Sequence, residues 1–207
     1  NKDDYTALML ASYNGHKEIV EMLLNVEGID VNAANNFGET AFILASHNDY
    51  KEVVQMLLNV KGINVNAADK DGETALMLAS RSGHKKVVQM LLDVEGIDVS
   101  AANKDGETAL MVACRRYCHT YVVQMLLKVE GININAVDND GWTALMVASR
   151  YGHKEVVQML LNVEGINVNA INKKGYSALT LASRYGHKQT VIMIEMHKDN
   201  INSRIVM

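Results

Sequence analysis

The chain has 207 residues, 48% of them hydrophobic, and carries 20 basic and 24 acidic side chains for a net charge of −4. This is the composition of a folded protein rather than a disordered one, and it argues against a nucleic-acid or acidic-membrane surface, either of which needs a basic surplus. No apolar run reaches the ~18–20 residues that would cross a bilayer, two cysteines are too few for a disulfide scaffold, and the first residues lack the pattern of a signal peptide. These features point to an intracellular, cytoplasmic protein that is not inserted in a membrane. The sequence contains no proline, so its turns must rest on Gly, Asn and Asp.

Read in order, the chain repeats itself. The phrase Thr-Ala-Leu, or a near variant, starts at Thr6, Thr40, Thr74, Thr108, Thr143 and Ser177, in steps of 34, 34, 34, 35 and 34 residues. Six units follow: 1–34, 35–68, 69–102, 103–137, 138–171 and 172–207. Unit one carries an apolar set (Leu8, Leu10, Ile19, Val20, Leu23, Leu24) whose outer flank calls for a neighbour, so further repeats or a domain are expected before Asn1. Unit three is the best formed. Asp69-Lys70-Asp71-Gly72 is a turn signal, and Thr74 is placed to cap a helix from Ala75 to about Ser82. Gly83 is placed to end that helix in the left-handed conformation. A second helix is predicted from Lys85 to about Val94, with Val88, Leu91 and Leu92 on one face, and Gly96 closes it. Unit four holds the one 35-residue step, in the stretch ACRRYCHTYVV (113–123). Unit six departs at Thr190 and Glu195, which replace apolar residues, and reads as a partial cap. A single unit cannot bury both of its apolar helix faces, whereas stacked neighbours can.

At Gly72-x-Thr74-Ala75-Leu76, Ala79, Gly83-His84, Val88, Leu91-Leu92 and Gly96-Ile97-Asp98-Val99 the pattern resembles the ankyrin repeat, over essentially the whole chain. The resemblance implies an all-α solenoid of stacked helix–turn–helix units with short β-turn fingers, forming one array over 1–207. Two departures stand out. Thr74-Ala75-Leu76-Met77 lacks the proline and histidine of the family's Thr-Pro-Leu-His, and the period is 34 rather than 33.

Several residue patterns suggest chemistry and fail on spacing. Histidines recur at His16, His84, His119, His153 and His187, but adjacent units lie ~8–10 Å apart, and metal–nitrogen bonds are ~2.0–2.1 Å. They are expected to bond loop backbone at the start of each second helix. The acidic turns ending at Gly72 and Gly141 lack the flanking acids of a calcium loop, with Ala67 and Leu78, or Ala136 and Val147, in their places. No phosphate-binding or hydrolase motif occurs. Second-helix methionines (Met22, Met56, Met90, Met125, Met159) are expected in the packing between units. In ACRRYCHTYVV, Cys114 takes a serine's place, Cys118 a glycine's, and His119 is the column histidine. Two thiols and one imidazole fall short of a four-ligand site. One residue, at Arg116 or Tyr117, is extra. No metal and no cofactor is expected.

In a uniform array, specificity belongs where the copies differ. The family resemblance implies that partners contact the finger tips and the first helix on a concave face. The position after each finger glycine runs Glu39, Glu73, Glu107, Trp142, Tyr176, with Tyr5 in unit one. The end of the first helix gives Arg81-Ser82, Arg115-Arg116, Arg150-Tyr151 and Arg184-Tyr185. Trp, Tyr and Arg are the types enriched at binding hot spots. The expected contact patch is therefore Arg115, Arg116, Tyr117, Trp142, Arg150, Tyr151, Tyr176, Arg184 and Tyr185. The resulting reading is a monomeric, non-catalytic scaffold that binds a protein or peptide and no nucleic acid. The alternative is the targeting or substrate-recognition segment of a larger enzyme or effector.

Overall fold

The computed structural model describes residues 4–115 and 119–205, with side chains described through 200. The helices come in pairs, one pair to each sequence unit. They are α1 (Ala7–Tyr13) and α2 (Lys17–Leu24), α3 (Ala41–His47) and α4 (Lys51–Leu58), α5 (Ala75–Ser82) and α6 (Lys85–Leu92), α7 (Ala109–Ala113) and α8 (Thr120–Leu126), α9 (Ala144–Tyr151) and α10 (Lys154–Leu161), and α11 (Ala178–Arg184) and α12 (Lys188–Ile205). The backbone divides into two compact halves, Asn1–Lys104 and Asp105–Met207. In the first, α3 packs between α1 and α5, and α4 between α2 and α6. In the second, α9 packs against α7 and α11, and α10 against α8 and α12.

Each first helix starts where its sequence says it should. The hydroxyls of Thr6, Thr40, Thr74, Thr108, Thr143 and Ser177 each accept the N–H three residues on, at 3.2–3.5 Å. That satisfies one of the amides left over at a helix start. Gly83 and Gly152 end α5 and α9 in the left-handed region, with φ of 74° and 72°. In unit two Asp49 occupies that place with φ of 60°, a conformation that Asp tolerates better than most residues.

The two helices of a unit bury differently. First helices are buried almost all round, as in Ala41–Ser46 and Ala144–Ser149, so their turn-by-turn neighbours are all apolar or small. Second helices bury one stripe: Val53, Val54 and Leu57, then Val87, Val88 and Leu91, then Val122, Val123 and Leu126, then Val156, Val157 and Leu160. The stripe includes Val87 and leaves Leu92 only partly covered, a shift from the predicted face. Of the second-helix methionines, Met22 departs from the expected packing. First-helix Met9, Met77, Met111 and Met146 are each 1% exposed, whereas Met22 is 64% exposed and Met56, Met90, Met125 and Met159 are partly exposed. A residue two places after the second valine lies about 200° round the helix from it, on the flank of the stripe. Second helices also stop at Leu58, Leu92 and Leu161, two residues short of expectation, because the next residues turn toward a glycine with positive φ.

The connecting segments stack. In units three, five and six the finger is closed by an Asx residue whose Oδ1 accepts two amides: Asp69 from Asp71 and Glu73, Asp138 from Asp140 and Trp142, Asn172 from Lys174 and Tyr176. Successive fingers are joined by single backbone bonds, Lys70 N–H to Phe37 O and Lys104 N–H to Asp71 O in the first half, Asn139 N–H to Asp105 O and Lys173 N–H to Asp140 O in the second. A Cβ on Gly106 would sit 2.8 Å from the amide nitrogen of Asn139, so only glycine lets those two fingers approach. At the opposite ends of the units, asparagine amides bridge neighbouring loops. Asn66 donates to Gly96 O at 2.8 Å and accepts from Asp98 N–H at 2.9 Å, and Asn32 and Asn135 do the same with the loops that follow them.

The last helix breaks the pattern. It has 18 residues where other second helices have seven or eight. Thr190 is buried despite its hydroxyl, and Ile194 supplies the buried apolar contact, while Ile192 and Met196 are exposed. In unit one, Leu10, Ile19 and Met22 are likewise exposed.

Candidate functional site

Two columns of side chains meet along the fingers and first helices. One is the residue after the finger glycine. The other lies eight positions later, two helical turns above the cap, on the same side of the unit. Sequence reading named both columns and missed that they pair.

In unit three the pair is ionic. Glu73 is 6% exposed. Arg81 Nη2 donates to its Oε1 at 2.7 Å, and Nη1 lies 2.5 Å from Oε2 as a charge contact without good hydrogen-bond alignment. Asn103 donates to the same Oε1 from the next finger at 2.5 Å. Unit two has no arginine at this place; there Glu39 accepts from Tyr5 Oη at 2.9 Å and from Asn35 Nδ2 at 2.8 Å. In unit four Glu107 is 4% exposed and takes Arg115 through both Nε and Nη2.

In units five and six the glutamate is replaced by a ring, and the arginine lies on it. Arg150 Cζ is 5.3 Å from the centroid of Trp142, 5.7 Å from Tyr151 and 5.4 Å from Tyr185. Arg184 Cζ is 5.2 Å from Tyr176, whose hydroxyl oxygen accepts from its Nη1 at 2.7 Å. The ring quadrupole attracts a cation on its face. Among the described residues neither Arg150 nor Arg184 makes an ion pair. A cavity of about 240 Å³ opens between Arg115, Trp142, Arg150 and Tyr151, lined also by Glu107, Asp138, Asp140, Val147 and Lys174.

Of the sequence-predicted residues, Arg115, Trp142, Arg150 and Tyr151 therefore share one cavity, and Tyr185 joins them through Arg150. Tyr176 and Arg184 form an adjacent pair. Arg116, Tyr117 and Cys118 lie outside the described residues. Cys114 is buried within unit four, as Ser12, Ser46, Ser80 and Ser149 are at the same place in units one, two, three and five.

The column histidines hold this face in place. His84 Nε2 lies 2.8 Å from His47 O, His153 Nε2 2.9 Å from Arg115 O, and His187 Nε2 2.9 Å from Arg150 O. The bond is to backbone, as the sequence indicated, but to the preceding unit, at the end of its first helix. Thus His153 fixes the backbone that bears Arg115, and His187 the backbone that bears Arg150. Burial holds the pKa of His153 below its ordinary value of 6.5, helped by the nearby His187 and opposed by the Arg115 carbonyl bond and Glu155. The unfolded chain then takes up the proton first as pH falls. The stability His153 contributes is whole above pH 6.5 and is lost as pH drops from there through the lowered folded value. Melting temperatures should fall between pH 7.5 and pH 5.5, and His153→Gln should show a smaller fall; an unchanged fall would place the effect elsewhere.

Among the described residues no three His, Cys, Asp or Glu side chains converge as a metal site, and no helix is long and apolar enough to cross a membrane.

Comparison with known proteins agrees with this architecture. The family model for ankyrin repeats (3 copies) matches residues 1–69, 60–138, 91–172 and 117–205. The chain belongs to the ankyrin-repeat family. A comparison with curated protein sequences found no match. Among solved structures, the ankyrin repeat domain of Bcl-3, a member of the IkappaB protein family, is 34% identical with a TM-score of 0.83, covering 94% of this chain and 87% of that one. A chain from the complex of the Bd0816 predatory endopeptidase of Bdellovibrio bacteriovorus with immunity protein Bd3460 is 27% identical with a TM-score of 0.81, covering 93% and 98%. The ankyrin repeat protein EF0377 is 22% identical with a TM-score of 0.84, covering 92% and 98%, a likeness of fold.

Proposed function

We propose that this chain is a non-catalytic, monomeric interaction module that binds a protein or peptide across its fingers and first helices, the concave face of the array. The observation that carries the reading is Arg150, held against Trp142, Tyr151 and Tyr185 beside an open cavity. Three rings and a guanidinium in contact are the composition of an interface hot spot. An exposed aromatic cluster of this kind has no counterpart in units two to four, where the same column holds glutamate. The solved relatives support the reading, since one is from a complex with an immunity protein. Trp142→Ala and Tyr151→Ala should each weaken partner binding by at least about tenfold, the scale of a hot-spot residue. Binding is measured by pulldown and then titration, with circular dichroism to show an intact fold. Unchanged binding by a folded double variant would remove the patch from the interface.

A further inference from the structure

Resting on that reading, we propose that units five and six form a carboxylate-binding site for an acidic peptide segment, with Arg150 and Arg184 as its anion-binding groups. The chain supplies its own comparison. Four units carry arginine at the same place, in the same fold, at the end of the first helix. In units three and four that arginine is answered by a carboxylate less than one-tenth exposed, Glu73 or Glu107. An arriving anion would compete there with a fixed, buried charge. In units five and six Trp142 and Tyr176 take the glutamate's place, and the arginine's charge is left unanswered among the described residues.

The rings do more than omit a charge. The ring centroids of Trp142 and Tyr176 lie 5.3 and 5.2 Å from the guanidinium carbons of Arg150 and Arg184, and a guanidinium is weakly hydrated and favours aromatic neighbours. The in-plane N–H groups of Arg150 remain, and these match the two oxygens of a carboxylate. Arg184 spends one donor on Tyr176 Oη and keeps the others. Neighbouring charge has the same sense. The finger of unit six is Lys173-Lys174, both exposed, where units three and four have the balanced pairs Lys70-Asp71 and Lys104-Asp105. Against these stand Asp138 and Asp140 of the unit-five finger. Asp138 Oδ1 already accepts two backbone amides. Both aspartates line the cavity, so an acidic side chain is directed over Arg150 and Arg184 toward unit six, not into the unit-five finger.

A peptide is favoured over a nucleic-acid strand by the extent of the patch. A strand presents a phosphate at every nucleotide and calls for a continuous cationic track. Here, within Asp105–Met207, the arginine of the neighbouring unit four is neutralised by Glu107, and Asp105 stands at that unit's finger tip.

The test is a selection from a phage-displayed random 12-residue peptide library on the immobilised 207-residue chain, followed by titration of the enriched peptides. The expected result is enrichment in Asp and Glu. Substitution of those acids by Asn and Gln should weaken binding at least about tenfold, and so should R150A/R184A. Enriched peptides with no acidic bias, lost on Trp142→Ala but not on R150A/R184A, would overturn the carboxylate site and leave the interaction face standing. Enriched peptides sensitive to none of these variants, or no enrichment over bare resin, would overturn both. A single-stranded oligonucleotide that displaces the acidic peptide at lower concentration than the peptide's own free form would overturn the peptide assignment.

Discussion

Phe42→Ala is expected to remove about 3–5 kcal/mol of stability, as large-to-small changes at buried aromatic positions do. Phe42 is fully buried and is the largest such side chain in the described chain. It stands in α3, between α1 and α5, where other units carry leucine: Leu8, Leu76, Leu110, Leu145 and Leu179. The size of the effect comes from that position. α3 is buried from Ala41 to Ser46, so a cavity at Phe42 is walled by the two helices that flank it, α1 and α5. Little collapse is available. Phe42→Leu restores the side chain common to the other units and should cost under about 1.5 kcal/mol. Urea unfolding followed by circular dichroism separates the two. Equal midpoints for Phe42→Ala and Phe42→Leu would mean that the α1–α3–α5 layer relaxes around a void, contrary to its dense packing.

The sequence was most informative where a signal is local and recurs. Thr at the cap, Gly at a positive φ and the Val-Val-x-x-Leu stripe each act within one or two turns of chain, and their recurrence from unit to unit makes them unmistakable. For His84, His153 and His187 the reading as backbone-bonding side chains agrees with the structure, although the carbonyl each meets belongs to the preceding unit. What escaped were features that join separate parts of a unit or two units. The bond from Arg81 to Glu73 spans eight residues, and Asn103 reaches the same carboxylate from the next finger. Neither is a neighbour along one helix face. The signal was present all the same, since glutamate and arginine co-occur at that spacing in units three and four and part company in units five and six. The asparagine bridges at Asn32, Asn66 and Asn135 were visible only as repetition. Met22 was misplaced, and Met56, Met90, Met125 and Met159 are covered only in part, because a strict period shows that a residue has a fixed position, not that the position is fully inside. The length of α12 was not legible from Thr190, which is buried, or Glu195, which is exposed, since polar substitutions at a few places do not stop a helix that lacks glycine and proline.

Arg81→Ala should act chiefly on stability and Arg150→Ala chiefly on binding, and this is the sharpest check on the pairing of the two columns. Removing Arg81 leaves Glu73 buried with Asn103 as its remaining side-chain donor. Loss of one partner of a buried ion pair costs more than the pair contributes, because the other charge is stranded. The Arg81 side chain is 38% exposed, so water reaches the gap and the expected loss is about 2–3 kcal/mol rather than the full penalty of a dry site. Glu73→Gln in the same background should recover part of it, since an amide tolerates burial where a carboxylate does not. Removing Arg150 strands nothing. Its cation–ring contacts, with three rings at a half-buried site, are worth about 0.5–2 kcal/mol, so stability should fall by less than in Arg81→Ala, while binding to the partner fails. Urea midpoints and a binding titration on the same preparations decide the matter. A large stability loss in Arg150→Ala would make that arginine part of the scaffold. A negligible loss in Arg81→Ala would mean that Glu73 is not held by the charge it faces.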